Sequence, residues 1–182
     1  MARPVKRVSI ILATCLYAVP AFAQGAVDRL RDDLLAGASA TQVLTAHCDR
    51  LQLADPPVIR ALRDGAEVPA PPDVRALLGA KPGETVRHRR VRLACGNHVL
   101  SHADNWYLPS RLTPEMNRLL DETETPFGTA VRALDFHRRT LEAQTATGDD
   151  AILRIKAVLL TKEGAPFSVV VENYGRALIA PP

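Results

Sequence analysis

Aromatic residues make up only 4% of the 182-residue chain, too few for a nucleic-acid surface built from successive stacked rings. Three cysteines cannot make a disulfide framework, and they stand in no Cys/His pattern that would hold zinc. The chain has no G-x-S-x-G nucleophile turn, no phosphate-cradling glycine loop, no G-x-G-x-x-G dinucleotide motif and no internal repeat. Charge of one sign is also missing: 23 Lys and Arg face 20 Asp and Glu. What remains is ordinary globular material, 47% hydrophobic and 24% charged, enough for one domain with a real core.

The small basic excess sits at the start. Arg3, Lys6 and Arg7 precede an apolar run from Val8 to Ala21, and Ala21-Phe22-Ala23 reads as an A-x-A cleavage site. This is the layout of a secretory signal peptide, and the run is too short for a stable membrane anchor. We expect cleavage after Ala23, leaving Gln24–Pro182 as a periplasmic or secreted protein with no net charge. Such a chain is a poor nucleic-acid or anionic-membrane binder by bulk charge. Leu12-Ala13-Thr14-Cys15 is a weaker alternative, a lipoprotein signal. No later segment is long and apolar enough to span a bilayer. Cys48 and Cys95 then remain. In an oxidising compartment they can pair; otherwise they act as two small buried hydrophobes.

The organisation reads as a signal peptide (1–23), an N-terminal helical segment (24–55) and a domain (56–182). Val27, Leu30 and Leu34 share one helical face, and Val43, Leu44, His47 and Leu51 another, with a break at Gly37–Ser39. Prolines 56, 57, 69, 71 and 72 frame a short strand, Val58–Arg63, and Asp73 opens a short helix ending at Gly79. Thr85–Cys95 and Val99–Leu108 form a hairpin about Gly96-Asn97-His98, with Val91, Leu93 and Cys95 on one face and Arg90 and Arg92 on the other. Thr113-Pro114-Glu115 gives a cap, a first-turn proline and a first-turn acid. Leu134–Thr145, Ala151–Thr161 and Pro166–Tyr174 complete the strands. Early helices followed by consecutive hairpins predict an α+β fold with a mainly antiparallel sheet and flanking helices.

Few side chains point to chemistry. His98 and His102 have metal-like spacing, but on a strand they lie about 13 Å apart at roughly 3.3 Å per residue, so we expect no metal. Ser101, His102 and Asp104 are scattered by strand alternation and make no triad. The run Arg87-His88-Arg89-Arg90-Val91-Arg92 reads either as a solvated strand face or as a clamp for a carboxylate, which the planar guanidinium fork matches in two-point contact. Glu172 ends the apolar run Val169-Val170-Val171 and, if buried, needs a partner: an arginine or a polar ligand. Arg138 and Arg139 look like decoration on a strand edge.

Several of these pieces together resemble the chorismate lyase family: the hairpin followed by Pro109, the Leu112-Thr113-Pro114-Glu115 helix start, the Thr125-Pro126-Phe127-Gly128 turn, and Glu163-Gly164-Ala165-Pro166 leading to Val171-Glu172. That family shares its fold with the ligand-binding UTRA domains of bacterial transcription regulators. The resemblance covers about Val58 to Tyr174. It implies a largely antiparallel sheet with packed helices around a small buried site, and cofactor-free elimination of pyruvate from chorismate to leave 4-hydroxybenzoate. Carried over by motif, Arg90 holds a substrate carboxylate, Phe127 touches the ring, and Glu172 meets the far end of the ligand. Arg89 or Arg92 takes the clamp role if the register is shifted. Phe127 stands where the family has leucine. Glu172 lies one residue further from Pro166 than the pattern, an offset that turns the strand over unless a bulge absorbs it.

The resulting expectation is an exported chorismate lyase-like protein with an internal pocket for a small aromatic carboxylate. Catalytic roles fall to Arg90 and Glu172, substrate contacts to Arg90, Arg92, Phe127 and Glu172, and no cofactor is needed. The alternative is a non-catalytic periplasmic small-molecule binding or sensing module of the same fold.

Overall fold

The computed structural model describes residues 21–37, 39–146 and 150–179, with side chains from Gly25 onward. The expected leader and Cys15 lie outside the described residues except for Ala21–Ala23, which open the first helix. The helices are α1 (Ala21–Ala36), α2 (Ala40–Arg50), α3 (Pro72–Leu78), α4 (Pro114–Glu122) and α5 (Phe127–Ala130). The strands are β1 (Ile59–Arg63), β2 (Arg87–Cys95), β3 (His98–Tyr107), β4 (His137–Thr145), β5 (Ala151–Leu160) and β6 (Pro166–Gly175). They form one antiparallel sheet in the order β1-β2-β3-β6-β5-β4. The α+β fold with flanking helices is as expected. No helix among the described residues is long and apolar enough to cross a membrane.

Local chemistry explains most boundaries. The Thr113 hydroxyl accepts from the Met116 N–H at 3.2 Å, and Pro114 occupies the first turn, so α4 starts where cap and proline require. Gly96 turns β2 into β3 with φ of 55° while Asn97 keeps a negative φ, the pattern of a type II′ hairpin turn.

Strand alternation divides the sheet into a front and a back. Opposed residues share a face, which sets three successive front rows. The first holds Tyr107, Ser168, Leu159 and Arg138. The second holds Arg89, Asn105, Val170 and Ala157, and the third Val91, Ala103, Glu172 and Ile155. On the front, α1 and α2 bury Val27, Leu30, Leu34 and Leu44 against Leu93, Ala103 and Ile155, while α4 and α5 bury Met116, Leu120 and Phe127 against Tyr107, Leu159 and Val170. On the back, α3 sets Val74 and Leu78 against Trp106, Val158 and Val169. The rest of the back is polar, as an antiparallel sheet with one solvated face allows.

Glu172 reaches the front because the β5–β6 pairing slips between Pro166 and Ser168. Leu160 opposes Pro166, but Leu159 opposes Ser168, so Phe167 is an extra residue in β6. That bulge absorbs the one-residue offset seen in the sequence.

A disulfide joins Cys48 on α2 to Cys95 at the end of β2, with Cα atoms 6.3 Å apart and a sequence separation of 47. Closing a loop of that size lowers the entropy of the unfolded chain by an amount worth roughly 4 kcal/mol at most. Replacing both cysteines with serine should therefore lower the unfolding free energy by about 2–4 kcal/mol in non-reducing urea denaturation. A loss below about 1 kcal/mol would show that burial alone holds α2 down.

Candidate functional site

The front face does not pack solid. A small, partly open cavity of about 30 Å³ lies between the sheet, the first turn of α2 and α5, enough for one or two water molecules. Its walls are mostly apolar: Val91, Leu93, Ala103, Leu159 and Val170 from the sheet, Phe127 from α5, and Phe136 just before β4. Its polar groups are Ser39 and Thr41 above, and Asn105, Arg138 and Glu172 from the strands.

Two of these polar groups pair with each other. Arg138 donates to Glu172 Oε2, and the Tyr174 hydroxyl donates to the same oxygen at 2.9 Å. The ion pair is nearly dry, with side chains 5% and 8% exposed. Burial, the largest single effect, works to lower the Arg138 pKa, but the interactions with Glu172 and Tyr174 together outweigh it and the net shift is upward, so the guanidinium stays charged. Burial and the neighbouring carboxylate push the Tyr174 hydroxyl well up, which keeps it a neutral donor. Arg138 Nε has no hydrogen-bond partner among the described residues. Asn105 is 4% exposed, lines the cavity, and its amide makes no side-chain hydrogen bond among the described residues. A buried amide facing an unfilled space is what a site for a polar ligand or ordered water looks like.

The roof is the start of α2. Ser39 precedes the helix but its side chain makes no capping bond. The hydroxyl instead lies over Gly128, where a Cβ would come within 2.7 Å of Ser39 Oγ. Ser39, Thr41, Gly128 and Phe136 also line an outer depression of about 170 Å³. These residues thus form the wall between inside and outside.

The expected site residues are distributed as follows. Phe127 and Glu172 line the cavity. Arg90 lies on the back, its side chain 46% exposed, with Nε 2.7 Å from Asp104. Asp104 also accepts from His88 Nε2 at 2.8 Å, the tautomer fixed because His88 Nδ1 accepts from the Val68 N–H. Strand alternation, not distance, separates Arg90 from Glu172: Ala103 and Asp104 oppose Glu172 and Val171, and Arg90 is in the Asp104 row. Arg92 is on the back as well, half-buried and opposite His102. Neither residue lines the cavity.

Two members of the basic run are on the front face: Arg87, which pairs with Asp121 and Glu67 and is part-exposed, and the buried Arg89. Arg89 is 2% exposed and donates to the carbonyls of Thr123 and Thr125 at 3.3 and 3.2 Å. Arg63 does the same for Leu120 and Asp121. Together they satisfy carbonyls at and just beyond the end of α4, where a cation also suits the helix dipole. Burial, with repulsion from Arg63, pulls the Arg89 pKa down to about 10. Its Nε and one terminal nitrogen stay unpartnered.

Arg138 and Asn105 were missed from the sequence. In Arg138-Arg139 two identical residues sit on opposite faces, and only the register of β4 tells them apart: Arg138 shares the Leu159 row and Arg139 the Val158 row. Removing Arg138 leaves a buried carboxylate without its partner. Arg138→Ala should cost about 3–5 kcal/mol of stability in urea unfolding, whereas Arg90→Ala, at an exposed pair, should cost no more than about 1 kcal/mol. Equal costs would contradict this placement.

No family model matches the chain. The uncharacterized protein y4mC of Sinorhizobium fredii (strain NBRC 101917 / NGR234) is 39% identical over 169 residues, covering 80% of this chain and 71% of that protein. The chain belongs to the y4mC family. Among solved structures, the effector domain of PhnF from Mycobacterium smegmatis superimposes with a TM-score of 0.55 at 11% identity, covering 76% of this chain and 88% of that one. PhnF itself gives 0.55 at 11%, covering 86% and 82%. At such identities the likeness concerns the fold alone, and the y4mC family chain has the UTRA/chorismate lyase-like architecture.

Proposed function

We propose that this y4mC family member is an exported small-molecule binding module, and that its ligand enters the cavity beneath α2. The observation that carries this reading is Asn105, a buried residue whose amide has no hydrogen-bond partner among the described residues and which lines the cavity beside Arg138 and Glu172. The fold likeness to the effector domain of PhnF supports it. Export has two supports: the leader pattern in residues 1–23, and a disulfide of the kind that persists in oxidising compartments.

The ligand is a small, ring-bearing acid with a second polar end. The apolar walls and two phenylalanines suit a flat ring. The roof hydroxyls of Ser39 and Thr41 can donate to an anionic group, while Asn105 and Glu172 accept a hydroxyl at the other end. A cavity of about 30 Å³ is too small for such a molecule, so binding requires the α2–α5 wall to move outward. The elimination chemistry implied by the resemblance has less behind it. Glu172 Oε2 is engaged by both Arg138 and Tyr174, so a proton carrier there would first have to break a buried pair.

The test is calorimetric titration of Gln24–Pro182 with 4-hydroxybenzoate. Micromolar affinity, about −8 kcal/mol, is expected. Asn105→Leu should weaken it at least tenfold while leaving stability unchanged or slightly higher, because an unpaired buried amide is removed. Arg90→Ala should leave affinity unaltered. Loss of binding in Arg90→Ala with retention in Asn105→Leu would move the site to the back face. Release of pyruvate from chorismate by the wild-type protein would restore the lyase reading.

A further inference from the structure

The Cys48–Cys95 disulfide lies outside the cavity, yet it ties its roof to its floor. Ser39, Ala40 and Thr41 at one end of α2 form the roof. Cys48, fully buried, stands near the other end. Val91 and Leu93 on β2 form part of the floor, and Cys95 ends the same strand. No other covalent bond spans the two layers among the described residues.

The helix has modest means of staying down by itself. An 11-residue helix is marginal alone, its N-cap side chain makes no capping bond, and the chain breaks helix at Gly37 just before it. Its C-terminal side is hemmed in: a Cβ at Gly96 would meet the Ala54 Cβ at 3.0 Å and the Leu53 carbonyl at 3.2 Å. The anchored end is therefore the one bearing the disulfide, and the free end is the roof. We propose that the Cys48–Cys95 disulfide keeps the far end of α2 on the sheet while its roof end lifts to admit a ligand and settles back over it, so that the dithiol form holds its ligand weakly.

This rests on the cavity being the binding site. The chemistry is ordinary exchange with a dithiol reductant. A reductant thiolate attacks one sulfur and the S–S bond breaks. The reductant's second thiol then displaces the mixed disulfide and leaves as a cyclic disulfide, and Cys48 and Cys95 each end as a protonated thiol. Both cysteines are fully buried, so exchange waits for α2 to lift locally. Oxidative folding, rather than rapid cycling, is what sets the state.

Amide hydrogen exchange decides the matter without a known ligand. We compare the oxidised protein with Cys48→Ser/Cys95→Ser, and titrate 4-hydroxybenzoate into both as the probe. The amides of residues 42–46 should lose protection at least tenfold more than those of β5 and β6, and probe affinity should fall at least tenfold. A loss spread evenly over α2 and the sheet, or none, overturns the proposal. Equal affinity for the probe in both forms also overturns it. If the probe binds neither form, the functional reading fails, and the exchange pattern still decides what the disulfide does. Should the double variant not fold, wild-type protein reduced with dithiothreitol replaces it. Unfolding there too would mean that the bond secures the whole domain rather than α2, which also overturns the proposal.

Discussion

A guanidinium and a carboxylate share the dry interior of the front face, and the site is organised around that pairing. Either charge alone would be expelled from such a place. Together, with the Tyr174 hydroxyl completing the carboxylate's shell, they stay put and leave Arg138 Nε and Asn105 as groups with unused capacity. The pair joins β4 to β6 across β5. It thereby fixes one edge strand of the sheet by something more specific than ladder hydrogen bonds. A buried ion pair is weak support for stability on its own; here its position beside the cavity gives it another use.

Much of the fold could be read from the residues, because local rules and global packing agree. The helical spacing of Val27, Leu30 and Leu34, the Thr113-Pro114 start and the Gly96-Asn97 turn each have a single physical solution, and the structure adopts it. The site was only half legible. Glu172 and Phe127 were accessible through the motifs they belong to. Counting back from Pro109 lands on Arg90 rather than Arg89, and one step along a strand exchanges front for back. Asn105 gave no sequence signal at all, since nothing in its neighbours distinguishes a cavity-facing amide from a solvated one.

The two layers over the sheet have different characters. The back is closed by α3 over part of its area and otherwise meets water through paired charges such as Arg90–Asp104 and Lys156–Asp73. The front is covered by helices from both ends of the chain's first two-thirds and holds the buried arginines, Arg89 and Arg138. Arg89 and Arg63 are spent largely on carbonyls at the end of α4. This explains how so basic a strand can face inward: the helix terminus supplies the partial negative charge that a carboxylate would otherwise provide.

The strand order has a kinetic meaning. β2 with β3 and β5 with β6 are neighbouring hairpins, whereas β3 and β6 meet only across the long stretch that contains α4, α5, β4 and β5. Local hairpins close quickly, and long-range pairing waits on the entropy of a large loop. Asn105 belongs to β3 and Glu172 to β6, so neither hairpin contains the site. The cavity comes into being with the one pairing that is slow to form, and a folding intermediate made of two intact hairpins would be rich in sheet and empty of binding.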